Sequence, residues 1–337
     1  MWHVETLLIL ALATSLSSSI LWAAAPDTPP AAAPAPAARI PVILDTDIGD
    51  DIDDTWALAM LLKSPELDLK LVVTDNGNTA YRAKIVAKFL EKAGRTDVAV
   101  GLGLRPEDKP GNQSAWTEGY DLKSYPGKVH QDGVQALVDT IMNSPQPMTL
   151  IAIGPVQNLA AALEREPRIA QRARFVGMHG SVRRGYGNSK DIAPEFNVKV
   201  DPKACQKVFT AAWDMTITPL DTCGMVHLRG EKYAAVRDSK DPVAAALIEN
   251  YRVWARATKN PAMADSASST LFDTVAIYLG FTDALLKMEK LGIRVADDGK
   301  TLIDPAAKVM NVATEWKDMA AFEDLLVKRL TGPTAKP

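Results

Sequence analysis

The chain has 337 residues, 47% hydrophobic and 23% charged, with a formal net charge of −3, a profile that fits a globular protein of one large domain or two small ones. The near-neutral balance argues against a polyanion-binding surface: Arg183-Arg184 is the nearest approach to a basic cluster, so no nucleic acid polymer is expected as a partner. Cys205 and Cys223 allow one disulfide that their spacing does not demand, and the four histidines (3, 130, 179 and 227) form no zinc-ligand pattern with them.

In chain order, the apolar run Leu7 to Leu16 is followed by Ser17-Ser18-Ser19 and Ala23-Ala24-Ala25, and Pro26 to Ala38 is almost wholly Pro and Ala. The first stretch reads as a signal peptide over 1–25, and the second as a linker over 26–39 that cannot pack a core. The expectation is a periplasmic or secreted protein with no stable membrane association after cleavage. The n-region carries His3 and Glu5 but no Lys or Arg, and Pro26 follows the small-residue site, which leaves an uncleaved membrane anchor or a misassigned start codon as the alternatives.

Residues 40–332 read as one domain. Ile40-Pro41-Val42-Ile43-Leu44 is a β-branched run, and the apolar cluster from Thr55 to Lys63 predicts a helix stopped near Pro65. Leu69 to Val73 predicts a second strand, Tyr81 to Ala93 a second helix closed by Gly94, and Asp97 to Val100 a third strand. Gly101 to Val129 is too long for an idle connection and predicts a functional rim loop. A helix over Gly133 to Met142, a strand over Met148 to Ile153 and a helix over Pro155 to Glu164 follow. Further strands are expected at Arg174 to Met178 and Met215 to Pro219, and a long amphipathic helix at Asp241 to Thr258. Asp297-Asp298-Gly299-Lys300 marks a hairpin between Ile293–Ala296 and Thr301–Ile303, and Met319 to Leu330 a terminal helix. This alternation predicts an α/β fold with a mostly parallel, Rossmann-like central sheet flanked by helices, with ligands beyond the carboxyl ends of the strands.

The candidate chemistry lies directly after the first strand. Six of the ten residues from Asp45 to Asp54 are Asp, and carboxylates packed so closely repel one another unless a counter-charge enters. A hard cation such as calcium, with roughly six to eight oxygen ligands in irregular geometry, resolves the conflict. The alternative is a solvated acidic turn capping the next helix. An EF-hand is excluded, because Trp56 stands where the twelfth-position Glu would be.

Asp45-Thr46-Asp47-Ile48-Gly49 with Asp53-Asp54-Thr55-Trp56-Ala57-Leu58 resembles the N-terminal signature of the inosine-uridine-preferring nucleoside hydrolases, with two extra residues in the loop. Further blocks agree in order: Gly77-Asn78, Gly154-Pro155-Val156-Gln157-Asn158-Leu159-Ala160, Met178-His179-Gly180, Pro194-Glu195-Phe196-Asn197 and Phe272-Asp273. The resemblance spans Ile40 to Leu330. It implies Ca²⁺-dependent hydrolysis of the N-glycosidic bond of a small-molecule nucleoside, and a homo-oligomer, dimer or tetramer. It further implies that Asp47 touches calcium and takes the proton of the attacking water. Asp54 and Asp273 are the implied calcium ligands, with the backbone carbonyl of Gln157. Asp53, Asn78, Glu195 and Asn197 are the implied ribose contacts, and His179 packs beneath the site.

One departure bears on mechanism. Family members often carry His before the last ligand Asp, as the acid for the leaving base, whereas this chain has Phe272. Loss of such an acid costs roughly 10²–10⁴-fold in rate unless another group replaces it. His130, in a block that resembles another active-site His of the family, is the candidate replacement, with Tyr120, Tyr186 and Tyr251 behind it. Phe272, Trp116 and Trp254 are candidates to stack on the base. Two other readings stand beside the hydrolase: a non-catalytic nucleoside- or sugar-binding protein of the same fold, and a haloacid-dehalogenase-like phosphatase using Asp45 as nucleophile in Asp45-Thr46-Asp47.

Overall fold

A computed structural model describes residues 1–3, 38–104 and 109–333. The signal peptide and linker expected from the sequence fall almost wholly on residues 4–37, outside the described residues. Among the described residues, no helix is long and apolar enough to cross a membrane.

Among the described residues, ten strands form one sheet: β1 (Ile40–Thr46), β2 (Leu67–Thr74), β3 (Ala99–Leu102), β4 (Val129–His130), β5 (Met148–Ala152), β6 (Ala173–Met178), β7 (Met215–Thr218), β8 (Leu286–Val295), β9 (Thr301–Ile303) and β10 (Val309–Trp316). Their spatial order is β4-β3-β2-β1-β5-β6-β7-β10-β8-β9. From β4 to β10 every neighbouring pair is parallel, while β8 runs antiparallel to β10 and β9 antiparallel to β8. The predicted hairpin is present, with Val295 opposite Thr301 and Gly299 at φ 83 in its turn. The chain therefore forms an α/β domain with a mostly parallel central sheet.

The sheet is buried on both faces because its strands alternate between two apolar layers. On β1, Val42 and Leu44 join the layer built by the helices Asp53–Leu62, Thr79–Lys92 and Pro242–Ala257. Ile43 joins the opposite layer, with the helices Gly133–Met142, Gln157–Arg165 and Pro202–Thr210. The helix Asp53–Leu62 is buried along all ten residues, so its two N-terminal carboxylates are carried into the interior with it.

Strand order reverses at β1, which has β2 on one side and β5 on the other. The connections leaving β1 and β5 diverge there and open a crevice at the carboxyl ends of the strands. The acidic loop sits at this switch point.

Candidate active site

A cleft of about 360 Å³ opens at the switch point. Its floor holds Asp47, Asp53, Asp54 and Asp273, its sides Glu195, Asn197, Ile153 and Met178, and its rim Asp50, Asp51, Asn112, Tyr186, Phe196, Trp254 and Phe272.

The floor is built from two helix starts. Asp53 and Asp54 open the helix Asp53–Leu62, and Asp273 immediately precedes the helix Thr274–Leu279, where helix dipoles favour negative charge. Asp53, Asp54 and Asp273 each present an oxygen within 4.8 Å of the other two. Thr46 Oγ1 donates to Asp54 (2.5 Å), and the Asp273 N–H donates to Asp53 (3.4 Å). Burial first, and then repulsion from neighbouring carboxylates, pushes the carboxyls of Asp54 and Asp273 well above the usual range; Asp53 is raised by burial and then by Asp51, with its hydrogen bonds to Asp273 opposing the rise. Asp47 is pushed to about 6 by burial, with the Arg82 guanidinium opposing the rise.

Such a cluster is costly without a cation in its midst. The donors are all oxygen, which suits a hard divalent ion and not a soft one. The buried residues present fit that group.

The acidic loop is held from outside. Arg82, 2% exposed, donates to the carbonyls of Asn76 (2.6 Å), Ile48 (3.0 Å) and Asp47 and to the Asp50 carboxylate (2.8 Å). The Tyr81 hydroxyl donates to Gly49 O (3.0 Å) and accepts from the Gln113 N–H (3.0 Å). Gly49 is required here: its φ is +127, and a Cβ would sit 2.8 Å from the Tyr81 ring. Asp50 O accepts from Asn112 (3.0 Å) and from the Trp254 indole (2.8 Å), and Gln113 donates to Asp51 O (2.7 Å). The two-residue expansion is thus clamped by the rim loop and by the Pro242–Ala257 helix.

On the sides, Glu195 accepts from the N–H groups of Asn197 (2.8 Å), Gly180 (2.9 Å) and Val198 (3.4 Å), yet full burial still pushes its carboxyl to about 7. Asn197 Nδ2 donates to Ile153 O and Met178 O, both at 3.0 Å, tying the ends of β5 and β6 together. His179 lies fully buried below, with Nε2 at 3.2 Å from Gly154 O and its ring between Phe175 and Phe209. Burial lowers its pKa to about 3, so it is neutral.

Asp47, Asp53, Asp54, Asp273, Glu195, Asn197 and Phe272 converge on the cleft. Gln157 opens the helix Gln157–Arg165 just past β5; its side chain is buried, lacks a hydrogen-bond partner and does not line the cleft. Two expected residues stand elsewhere. Asn78 does not line the cleft; its side chain caps the helix Thr79–Lys92 by accepting from Tyr81 N (2.9 Å). Asn76, two residues earlier, hydrogen-bonds Asp47 instead. His130 belongs to β4, three strands from β1, roughly 14 Å away at ordinary strand spacing, and it does not line the cleft.

Of the other candidates, Tyr120 bonds Glu91, Tyr251 donates to Ala267 O (2.9 Å), and Trp116 is buried against Phe89. Tyr186, Trp254 and Phe272 do line the cleft. Asp45 cannot act as a phosphatase-type nucleophile: it is fully buried, accepts from Asn158 Nδ2 (2.8 Å), and lies against the equally buried Asp75, whose carboxyl burial and Asp45 push well up. Both cysteines are buried and free. Sequence reasoning missed Asn76, Arg82 and Asn112, and gave Met178 no role although it stands in the block Met178-His179-Gly180; for Asn76 the signal was the Asn76-Gly77-Asn78 turn.

The family model described as inosine-uridine preferring nucleoside hydrolase matches residues 42–324. The non-specific ribonucleoside hydrolase RihC of Klebsiella pneumoniae subsp. pneumoniae is 34% identical over 226 residues, covering 64% of this chain and 73% of the relative. Among solved structures, the plant nucleoside hydrolase PpNRh1 superposes with a TM-score of 0.74 at 24% identity, over 88% of this chain and 100% of that one. The purine-preferring ribonucleoside hydrolase from Gardnerella vaginalis gives 0.70 at 23% identity, over 87% and 98%. With the model spanning most of the chain and the fold matching throughout the described domain, this chain belongs to the inosine-uridine preferring nucleoside hydrolase family, hydrolases of N-glycosyl bonds.

Proposed function

We propose that the protein is a calcium-dependent ribonucleoside hydrolase that releases free base and ribose. The observation that carries this reading is the buried carboxylate set of Asp47, Asp53, Asp54 and Asp273 on the floor of the cleft. Asp47, Asp54 and Asp273 would hold the ion, with the Gln157 backbone carbonyl carried over from the family resemblance. Once bound, calcium neutralises the carboxylates and lowers the pKa of water beside them.

The chain's own residues do the rest. Asp47 accepts the proton of the attacking water, which its place on the floor beside Asp54 and Asp273 allows. Asp53, Glu195 and Asn197 hold the ribose hydroxyls. Bond cleavage develops positive charge on the sugar ring, and fixed carboxylates and amide oxygens around it stabilise that charge without reorganising. Met178 and Ile153 give the ribose an apolar wall.

The test is release of ribose and base from a nucleoside panel, with and without chelator. Asp54→Asn and Asp273→Ala should each abolish both calcium binding and turnover; calcium affinity unchanged in both variants would overturn the site assignment. We also propose export by the N-terminal segment and assembly as a dimer or tetramer, to be checked by N-terminal sequencing of the exported protein and by sedimentation.

A further inference from the structure

A second cleft, of about 560 Å³, lies apart from the carboxylate floor, between the helices Thr79–Lys92 and Pro242–Ala257 and the short helical turn Ser114–Thr117. Its charge is opposite to that of the first. Lys88, Arg237, Lys240, Arg252 and Arg256 line it against two carboxylates, Glu118 and Glu249. Glu249 is already paired with Lys92 (2.9 Å), and Arg237 holds Asp238 through two bonds of 2.7 and 2.8 Å. Lys240 and Arg252 share the field of that same Asp238, and neither they nor Arg256 make an ion pair among the described residues. The chain as a whole carries a net charge of −3, so the fold has gathered cations here from segments that lie far apart in the sequence.

The walls are also short of acceptors. Lys88 donates to Trp116 O and lies 4.9 Å over the Trp116 ring, which holds it at the cleft. Trp116 is 3% exposed, and its indole N–H finds no acceptor. Arg252 and Arg256 stand one turn apart on one helix, a spacing at which like charges repel. We infer that this cleft binds a small phosphate-bearing anion through Arg252, Arg256, Lys240 and Lys88. A tetrahedral dianion accepts hydrogen bonds from several directions at once, and guanidinium groups meet phosphate oxygens in pairs. Ala245 and Val253 present apolar surface beside the cations, which a nucleotide would cover and free phosphate would not. Both walls also hold the acidic loop of the first cleft. Trp254, between the two arginines, bonds Asp50 O, and Asn112 and Gln113, just before the Ser114–Thr117 turn, bond Asp50 O and Asp51 O. An anion that draws the arginines and Lys88 together tightens both arms of that clamp.

The experiment is titration calorimetry of the full chain in chelator with inorganic phosphate and with AMP. Without a divalent ion the carboxylate floor repels both probes, so the heat reports the second cleft. One site with Kd of about 1 mM or tighter is expected at low ionic strength. Equal affinity for the two probes assigns free phosphate, and a gain of about tenfold or more for AMP assigns a nucleotide. Arg252→Ala combined with Arg256→Ala, both at exposed positions, should weaken binding at least about tenfold with an unchanged melting temperature. Lys203→Ala, at an exposed pair with Asp297, should leave affinity unchanged. Saturating AMP should slow hydrogen exchange of the Asp50 to Ile52 amides several-fold. No binding of either probe at about 10 mM, or equal affinity in the double variant, would overturn the inference. Binding with unaltered exchange of those amides would overturn the coupling to the acidic loop.

Discussion

Replacing Arg82 with methionine probes how the acidic loop is held. The guanidinium is 2% exposed and bonds the carbonyls of Asn76, Ile48 and Asp47 and the Asp50 carboxylate. Methionine fills a similar volume but offers no donor, so three buried or half-buried carbonyls lose their partner, at about 1 kcal/mol or more each. The pair with Asp50, whose side chain is 59% exposed, contributes little on its own. Removing the cation set against Asp47, Asp50 and Asp75 raises the total to about 3–5 kcal/mol. For a domain of this size, that lowers the melting temperature by roughly 6–12 °C. Calorimetry in chelator at neutral pH isolates this effect from ion binding. Arg82→Lys restores a point charge without the planar fork and should recover less than half of the loss. A melting temperature for Arg82→Met within about 2 °C of wild type would refute the reasoning.

The pH response of His179 has a definite sign. Its pKa is about 3 in the fold against 6.5 for an ordinary histidine, so the unfolded chain takes up a proton that the folded one refuses. The stability this group contributes is complete above pH 6.5 and drains away as pH falls towards 3, by about 2 kcal/mol at about pH 5. His179→Gln should flatten the denaturant midpoint over that window relative to wild type, and parallel pH curves would contradict this. Tyr81→Phe removes one donor to Gly49 O and one acceptor for Gln113 N, and should cost about 1–2 kcal/mol in urea unfolding. Gly111→Val places a Cβ 2.7 Å from Asp50 Oδ1 and Gly49 O, which should displace the rim loop and raise KM for any nucleoside substrate; an unchanged KM would show that the rim does not touch substrate.

Most of the parallel strands were readable because each is a short apolar run followed by an amphipathic helix, as at Ile40–Thr46 and Asp53–Leu62. The start of β8 and the whole of β10 were not. Leu286 to Leu291 reads Leu-Lys-Met-Glu-Lys-Leu, and Val309–Trp316 is broken by Asn311, Thr314 and Glu315, as expected of strands half open to solvent near a sheet edge. In the site, residue type identified the carboxylates, since a cluster of Asp after a buried strand has few uses. Residue type could not separate Asn76 from Asn78. Only the backbone, with Asn76 at φ 49 and Gly77 at φ 62, decides which one caps a helix and which one turns to Asp47. Arg82 was hidden for a similar reason: nothing in a helix pattern marks which polar face lies under a loop. Trp254 and Tyr186 reach the rim from segments more than 100 residues away, a distance that periodicity does not span.

The Asp273 N–H bonds Asp53 across 220 residues of intervening chain, and Trp254 holds Asp50 across 204. The carboxylate floor is therefore incomplete until the last fifth of the polypeptide has been made and has docked. A nascent chain with β1 to β7 already paired still presents Asp47, Asp53 and Asp54 without their closing partner. Capture of the proposed ion would then belong to the end of folding, not its beginning, as a latch on a finished sheet. Truncation between Thr218 and Asp273 would leave β1 to β7 in the chain and yet remove Asp273 from the floor they position.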